Sequence, residues 1–487
     1  MLWHTRPVTR QASRVRAYFG LPPATFGLPP AAGTRLADRT TSWRILRANR
    51  YFRRYFIGSV TSDLGTWFQN TAQVLLAYRL SHSVLVVGLV TCAQFTSPLV
   101  LSAFAGVATS RLGGRRTLFG TQIVAAVFAA LISVGIFLGP ITGWELTAGA
   151  VASGLAFTFA LPARNVTVRR LVIREDEESA FSLDSVSYNL GRAVAPPLCV
   201  LLVTTAGFGW AFALNAVSFA IFAVCIALAG RGSNKGWSLA EKEPRKASKI
   251  WDGVRVAFND WEIGIALLMV AAVTIADDPI LVLGPSVARG QGADPYWAGL
   301  FIAALGAGTV IGSFRPSRHT ASLRKAATAL AALALCMVLF VQSPWAWASM
   351  VAAVGAGASC LVANSTTKTL LTRKTTSALE ASVMAVWAIA WAGSKPVASL
   401  CDGLLANWAG IRWTGFLLAI PALIPFLVLI ALLLIVYATR ALARWKTFQE
   451  WLFRANIHLT ASGIITHSRE LQMEQELQFS SISTQCT

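Results

Sequence analysis

Charge is what this chain has least of. Asp, Glu, Lys and Arg make up 13% of its 487 residues, against about 25% in a soluble domain. That shortage excludes an ordinary water-soluble fold, which needs a polar surface to meet water. Strand-like alternation is missing from the apolar stretches, which argues against a β-barrel. Cysteine is sparse and never paired as CxxC: Cys92, Cys199, Cys225, Cys336, Cys360, Cys401 and Cys486 stand singly. Neither a zinc site nor a disulfide framework is expected, and the six in apolar runs read as small packing residues. No Gly-Lys-Ser/Thr loop occurs, so ATP-driven work by this chain is not expected; nor is a metal, a cofactor or an enzymatic activity. Acidic residues number 22 against 42 Lys and Arg, a net charge of +20. The basic residues form no single patch, which argues against a nucleic-acid partner. Residues 1–40 lack the continuous apolar core of a cleavable signal peptide.

What remains is 55% hydrophobic and gathers in runs of about 20 residues, the length a helix needs to cross hydrocarbon. Twelve spans are predicted, at 55–78, 84–109, 117–139, 144–164, 183–206, 210–230, 261–284, 296–314, 326–343, 346–366, 381–402 and 413–437. The longest interruption carries Lys235, Lys242, Arg245, Lys246, Lys249 and Arg255 and divides the spans six plus six. The fold class is therefore an all-α polytopic membrane protein of two six-helix repeats. Its expected parts are a disordered basic extension at 1–50, a bundle at 51–230, a central loop at 231–260, a second bundle at 261–437 and a tail at 438–487. The extension repeats FGLPPA at 19–24 and 26–31, and its prolines favour an extended, unpacked chain. In the tail, Trp445, Phe448, Trp451, Leu452 and Phe453 lie among basic residues, the make-up of a helix on a membrane surface. With the N-terminus inside, 37 Lys and Arg fall in inner segments and 3 (Arg79, Arg289, Arg412) in outer loops. The positive-inside rule then places both termini in the cytoplasm, and the expected location is a cell inner membrane, as a monomer in the lipid bilayer.

The halves match each other. SVSYNLGRAVAP at 185–196 parallels AVWAIAWAGSKP at 385–396, and each leads to a Gly-containing turn and a Trp, Gly207 with Trp210 and Gly410 with Trp413. Gly88-Leu89 opens span 2 as Gly299-Leu300 opens span 8. Parallel repeats of this kind are a transporter plan.

A charged side chain at the bilayer centre costs about 2.5–3.5 kcal/mol on insertion scales, so it needs a partner, water, a proton or a task. Asp63 lies a third of the way into span 1, with Gln69 and Asn70 two turns on. Asp277 and Asp278 precede Pro279, which frees a carbonyl and kinks span 7. These three carboxylates are candidates for proton exchange; their plain structural reading is helix packing and capping of the kink. Arg192 lies a turn before Pro196, and Lys395 stands at the same depth beside Pro396, with Asp402 beyond it. A matched pair of cations facing a cavity would attract an anionic substrate and pair with the acids when the cavity is empty. By depth, Asp63 is the expected partner of Arg192. Asp402 is expected either to pair with Lys395 or to reach the outer interface. Bends are expected at Pro196, Pro279 and Pro396.

Four stretches carry a family resemblance: SDLGTWFQN at 62–70, GVATSRLGGRR at 106–116, PARN at 162–165, and NLGRAVAP at 189–196 leading to LNAVSF at 214–219. Over roughly 45–437 the chain resembles the major facilitator superfamily. It is most similar to the branch of enterobactin exporters, macrolide-efflux proteins and transmembrane secretion effectors. The resemblance implies two bundles around a central cavity faced by spans 1 and 7, working by alternating access. It further implies proton-driven export of a small molecule, a siderophore-like metabolite or a hydrophobic drug. A solute importer and a non-transporting sensor or scaffold are the alternatives. Gly106, Arg111, Gly113, Arg115 and Arg116 match the family's conformational loop motif. Ser110 stands where that motif usually has an aspartate, and Thr66 stands where many relatives have the acid of Gly-Asp-Trp.

Overall fold

The structure, a computed structural model, describes residues 39–230, 250–313, 321–375, 379–431 and 434. Residues 1–38 of the expected extension, most of the central loop and the surface helix of the tail lie outside the described residues; the rest of the extension forms a helix at Arg39–Ala48 and leads into the next one. Sixteen α-helices run through the described chain, and no strand occurs among the described residues. The first half holds α1 (Arg39–Ala48), α2 (Arg50–Ser81), α3 (Val84–Leu112), α4 (Gly114–Leu138), α5 (Gly143–Leu171), α6 (Glu177–Ala206) and α7 (Phe208–Gly230). The second half holds α8 (Ile250–Asn259), α9 (Trp261–Asp277), α10 (Pro279–Val282), α11 (Gly284–Gly290), α12 (Trp297–Ser313), α13 (Leu323–Gln342), α14 (Ala346–Lys374) and α15 (Glu380–Ala409), closed by α16 (Ile411–Ala431).

Ten of these segments are long and apolar enough to cross a membrane. The other two of the twelve spans differ for separate reasons. Helix α12 is apolar but has only 17 residues. Helix α2 has 32, but it carries Arg53, Arg54, Asp63, Gln69, Asn70 and Gln73. It stays in the bundle because Asp63, Gln69 and Gln73 are buried against neighbouring helices rather than turned to lipid.

The seventh span corrects the expectation of a single kinked helix at 261–284. Pro279 has no N–H to continue the ladder and opens a new helix at its first position. The chain therefore passes through three short pieces, with Asp277 and Asp278 at the first joint. At the other two expected bends the helix continues: α6 runs through Pro196 and Pro197, and α15 through Pro396. The paired turns of the repeat do recur as geometry. Gly207 and Gly410 adopt φ of 95° and 83°, a conformation glycine enters without steric cost.

Within the first half, α2 packs on α6 and α7, α3 on α5, and α4 on α5 and α7; within the second, α12 and α13 pack on α14, and α9 on α14 and α15. The halves meet along two seams, α3 against α15 and α6 against α12. Glycine permits both contacts. A Cβ on Gly88 would stand 2.4 Å from the Ser399 carbonyl oxygen, and one on Gly306 would stand 2.6 Å from the Ala193 nitrogen. Beyond the seams Arg289 reaches His82 across the halves at 3.4 Å. The bundle is thus drawn together at the end bearing His82 and Arg289.

The seam predicts a contrast between two glycines. Gly306→Val forces backbone apart, and overpacking of this kind costs about 1–3 kcal/mol. Gly106 has nothing within 4 Å of its would-be Cβ, so Gly106→Ala should be neutral or mildly stabilising. Thermal unfolding of the detergent-purified variants should show a lowered midpoint for the first and none for the second.

Candidate functional site

Two buried charge clusters face a cavity between the halves. In the first, Arg164 near the end of α5 grips Asp63 on α2, with guanidinium nitrogens 2.8 Å from Oδ1 and 3.1 Å from Oδ2. The same guanidinium donates to Asp184 on α6 at 3.0 Å. Tyr55 donates its phenol to Asp184 at 3.0 Å, and Ser187 and Ser59 donate to Asp63. One arginine and three hydroxyls thus satisfy two carboxylates on three helices. Arg192 is not the partner of Asp63 in this structure: depth along the bundle matches the two, but Arg164 holds the carboxylate from α5.

The second cluster sits at the broken seventh span and joins the halves. Arg192 on α6 reaches Asp277 at 3.3 Å, and its guanidinium lies 5.3 Å from the centre of the Trp67 ring. Lys395 on α15 reaches Asp278 at 3.0 Å and Asp277 at 3.8 Å. Ser399 also donates to Asp278. Cys360 on α14 lies 3.7 Å from the Asp277 carboxylate. Lys395, Ser399 and Asp402 are spaced by four and three residues, so they share one face of α15 and all turn toward the Asp278 carboxyl. Asp402 is fully buried, and neither of its oxygens has a hydrogen-bond donor among the described residues. It makes no ion pair with Lys395 there and does not reach an outer interface.

Gln69 and Asn70 separate in role. Gln69 is tied on both ends, donating to Ser153 at 2.7 Å and accepting from Asn215 at 2.6 Å. Asn70 accepts from Gln94 at 3.0 Å and lines the cavity. The loop motif lies away from both clusters: Gly113 alone separates α3 from α4, and Arg111 and Arg116 are exposed.

The cavity has two connected lobes. The inner one, about 150 Å³, touches Trp67, Arg192, Asp277, Cys360, Trp391 and Lys395. The outer one, about 470 Å³, runs past Asp63 and Arg164 to Asp184, Lys368 and Trp387. Asn70, Gln94, Phe95, Tyr188, Asn189, Leu361, Asn364 and Trp391 border both. The void thus extends from the charge cluster at the seam toward the end opposite His82 and Arg289. Among the described residues no group of His, Cys, Asp and Glu is arranged to hold a metal.

Sequence reasoning missed four cavity residues. Arg164 counted as a loop cation, although it stands in the PARN stretch. Lys368 was placed in a loop as well, while Asp184 and Trp387 drew no attention. For Lys368 the detectable signal was that polar residues follow the apolar run without a helix breaker, so the helix continues past it.

A double-mutant cycle separates the two pairings. Removing one member of a buried ion pair costs about 3–5 kcal/mol because it strands the other. Arg164→Gln with Asp63→Asn should therefore destabilise by less than the two single changes added. Arg192→Gln with Asp63→Asn should be additive. Thermal midpoints of the purified proteins measure both.

A family model described as transmembrane secretion effector matches residues 40–480. No curated protein matches. Among solved structures, a bacterial homologue of the human lysosomal transporter Spinster, inward-facing and occupied, aligns with a TM-score of 0.60 at 12% identity, over 78% of this chain and 95% of that one. The nucleoside transporter NupG aligns with a TM-score of 0.60 at 12% identity, over 78% and 99%. The POT family transporter PepTSo aligns with a TM-score of 0.62 at 12% identity, over 78% and 97%. At these identities the solved structures speak for the fold alone. With nine-tenths of its length matched, this chain belongs to the transmembrane secretion effectors of the major facilitator superfamily, multi-pass membrane proteins that act on small molecules.

Proposed function

We propose that this protein exports a small molecule by alternating access and couples that export to proton return. The observation that carries the reading is Asp402. A carboxylate removed from water with no donor is strongly unfavourable, and the group avoids that penalty by binding a proton. Asp402 stands in that situation beside Asp278, at the joint where Lys395 binds Asp278 within the second half and Arg192 binds Asp277 across the seam. In the proposed cycle Asp402 and Asp278 carry the proton, protonation of Asp278 frees Lys395 within the second half, and Arg192 releases Asp277 as the halves rock apart. Pro279 leaves the seventh span broken at that point, so the carboxylates sit at a joint between helix pieces rather than in the middle of one helix. The Asp63–Arg164–Asp184 cluster, with every carboxylate already supplied with donors, is assigned to holding the first bundle together rather than to coupling.

Inward proton movement supplies about 2.3 kcal/mol per charge at 100 mV. Export is favoured over import because the family is one of secretion effectors. The basic loops support an inner-membrane protein with both termini cytoplasmic, and the cavity then opens inward. A siderophore-like metabolite or a hydrophobic drug is the proposed cargo, and a monomer suffices to enclose it.

Everted vesicles with a respiration-driven acid interior test the coupling. Dihydroxybenzoate and ethidium are added as probe cargoes while a pH-sensitive dye reports the gradient. At least one should partly discharge the gradient with the wild-type protein. Asp402→Asn and Asp278→Asn should abolish that discharge at unchanged protein abundance. Full discharge by Asp402→Asn would remove this residue from the mechanism.

A further inference from the structure

Three of the four cations that border the cavity are already neutralised. Arg164 is shared by Asp63 and Asp184, Arg192 is bound to Asp277, and Lys395 is bound to Asp278 and Asp277. Lys368 is the exception among the described residues, since it enters no ion pair there. It projects from the last turns of α14 into the outer lobe and is exposed. Its ammonium stands 5.3 Å from the centre of the Trp387 ring. One turn on along α15, Trp391 lies parallel to Trp387, with ring centres 6.2 Å apart and planes within 3°. Both indoles line the outer lobe.

We infer that this corner is the cargo-binding site and that it takes an aromatic anion, a compact ring system bearing one carboxylate or an equivalent acid. The inference rests on the transport reading above and adds a substrate class to it. Among the described residues the ammonium, with its three donors, has an indole face as its contact and no acceptor. That contact is weaker than a charge-assisted hydrogen bond to an acid, so an anion displaces it without breaking any ion pair. The paired indoles supply the flat apolar surface on which a ring stacks. The opposite wall does not compete for a cationic cargo. Asp63 and Asp184 already accept from Arg164, Tyr55, Ser59 and Ser187. A neutral drug would use the indoles but leave Lys368 unused.

Calorimetric titration of the full-length purified protein in lipid nanodiscs, with no pH gradient, decides among these classes. The probes share one ring system: naphthoate, naphthylmethylammonium and naphthalenemethanol. Naphthoate should bind about tenfold or more tightly than either of the others, a difference of about 1.4 kcal/mol. Lys368→Met should erase that preference, Lys368→Arg should restore most of it, and Trp391→Ala should weaken all three probes. Lys368 enters no ion pair among the described residues, so loss of fold is not the expected cost, and equal elution profiles check it. Equal affinities for the three probes, or an unchanged preference in Lys368→Met, would overturn the inference. Because no gradient is present, failure here is separable from failure of coupling. A protein that binds naphthoate but cannot discharge a gradient with it would keep this site and lose the proton reading.

Discussion

The cost of taking charge out of water governs this molecule. Lipid surrounds the bundle, so each buried ion must find its compensation inside it. Asp63 and Asp184 are compensated within the first half, by an arginine and hydroxyls. Asp277 and Asp278 are compensated from two directions, by Arg192 of the first half and Lys395 of the second. The first arrangement fixes one bundle. The second spans the seam between bundles, so any rocking of the halves must break or exchange an ion pair. Such exchange is tolerable only where a proton or water replaces the lost partner.

The glycine contacts explain why compensation across the seam is geometrically open to this chain. Arg192 reaches the seventh span of the other half because α6 and α12 approach with no side chain between their backbones at Gly306. Asp278 keeps helical backbone at the joint, so the two aspartates point about 100° apart and are met by cations from the two halves.

Much of the fold was legible in the sequence because lipid demands continuous apolar runs, and those runs place ten spans by composition alone. The candidate site was legible only by residue type. Depth along a helix follows from counting residues, but azimuth does not, so Asp63 and Arg192 matched in depth and proved to have different partners. Arg164 and Lys368 were lost for a shared reason. Apolarity ended near 164 and 366, yet α5 continues to Leu171 and α14 to Lys374. A hydrophobic run reports contact with lipid, and a helix bordering a wet cavity does not need one. The same argument covers α2, which is more polar than those ten and is the helix on which Asp63, Gln69 and Asn70 stand.

The account turns on a proton held by Asp402 in the interior of the protein, and infrared spectroscopy observes such a proton without knowledge of the cargo. A protonated carboxyl has a C=O stretch well separated from the carboxylate bands, and burial without donors sharpens it and moves it to high frequency. Spectra of the purified wild-type protein should contain that band, and Asp402→Asn should remove it while leaving the rest of the spectrum in place. A spectrum that lacks the band, or that keeps it unchanged in Asp402→Asn, would contradict the proton assignment and with it the proposed coupling.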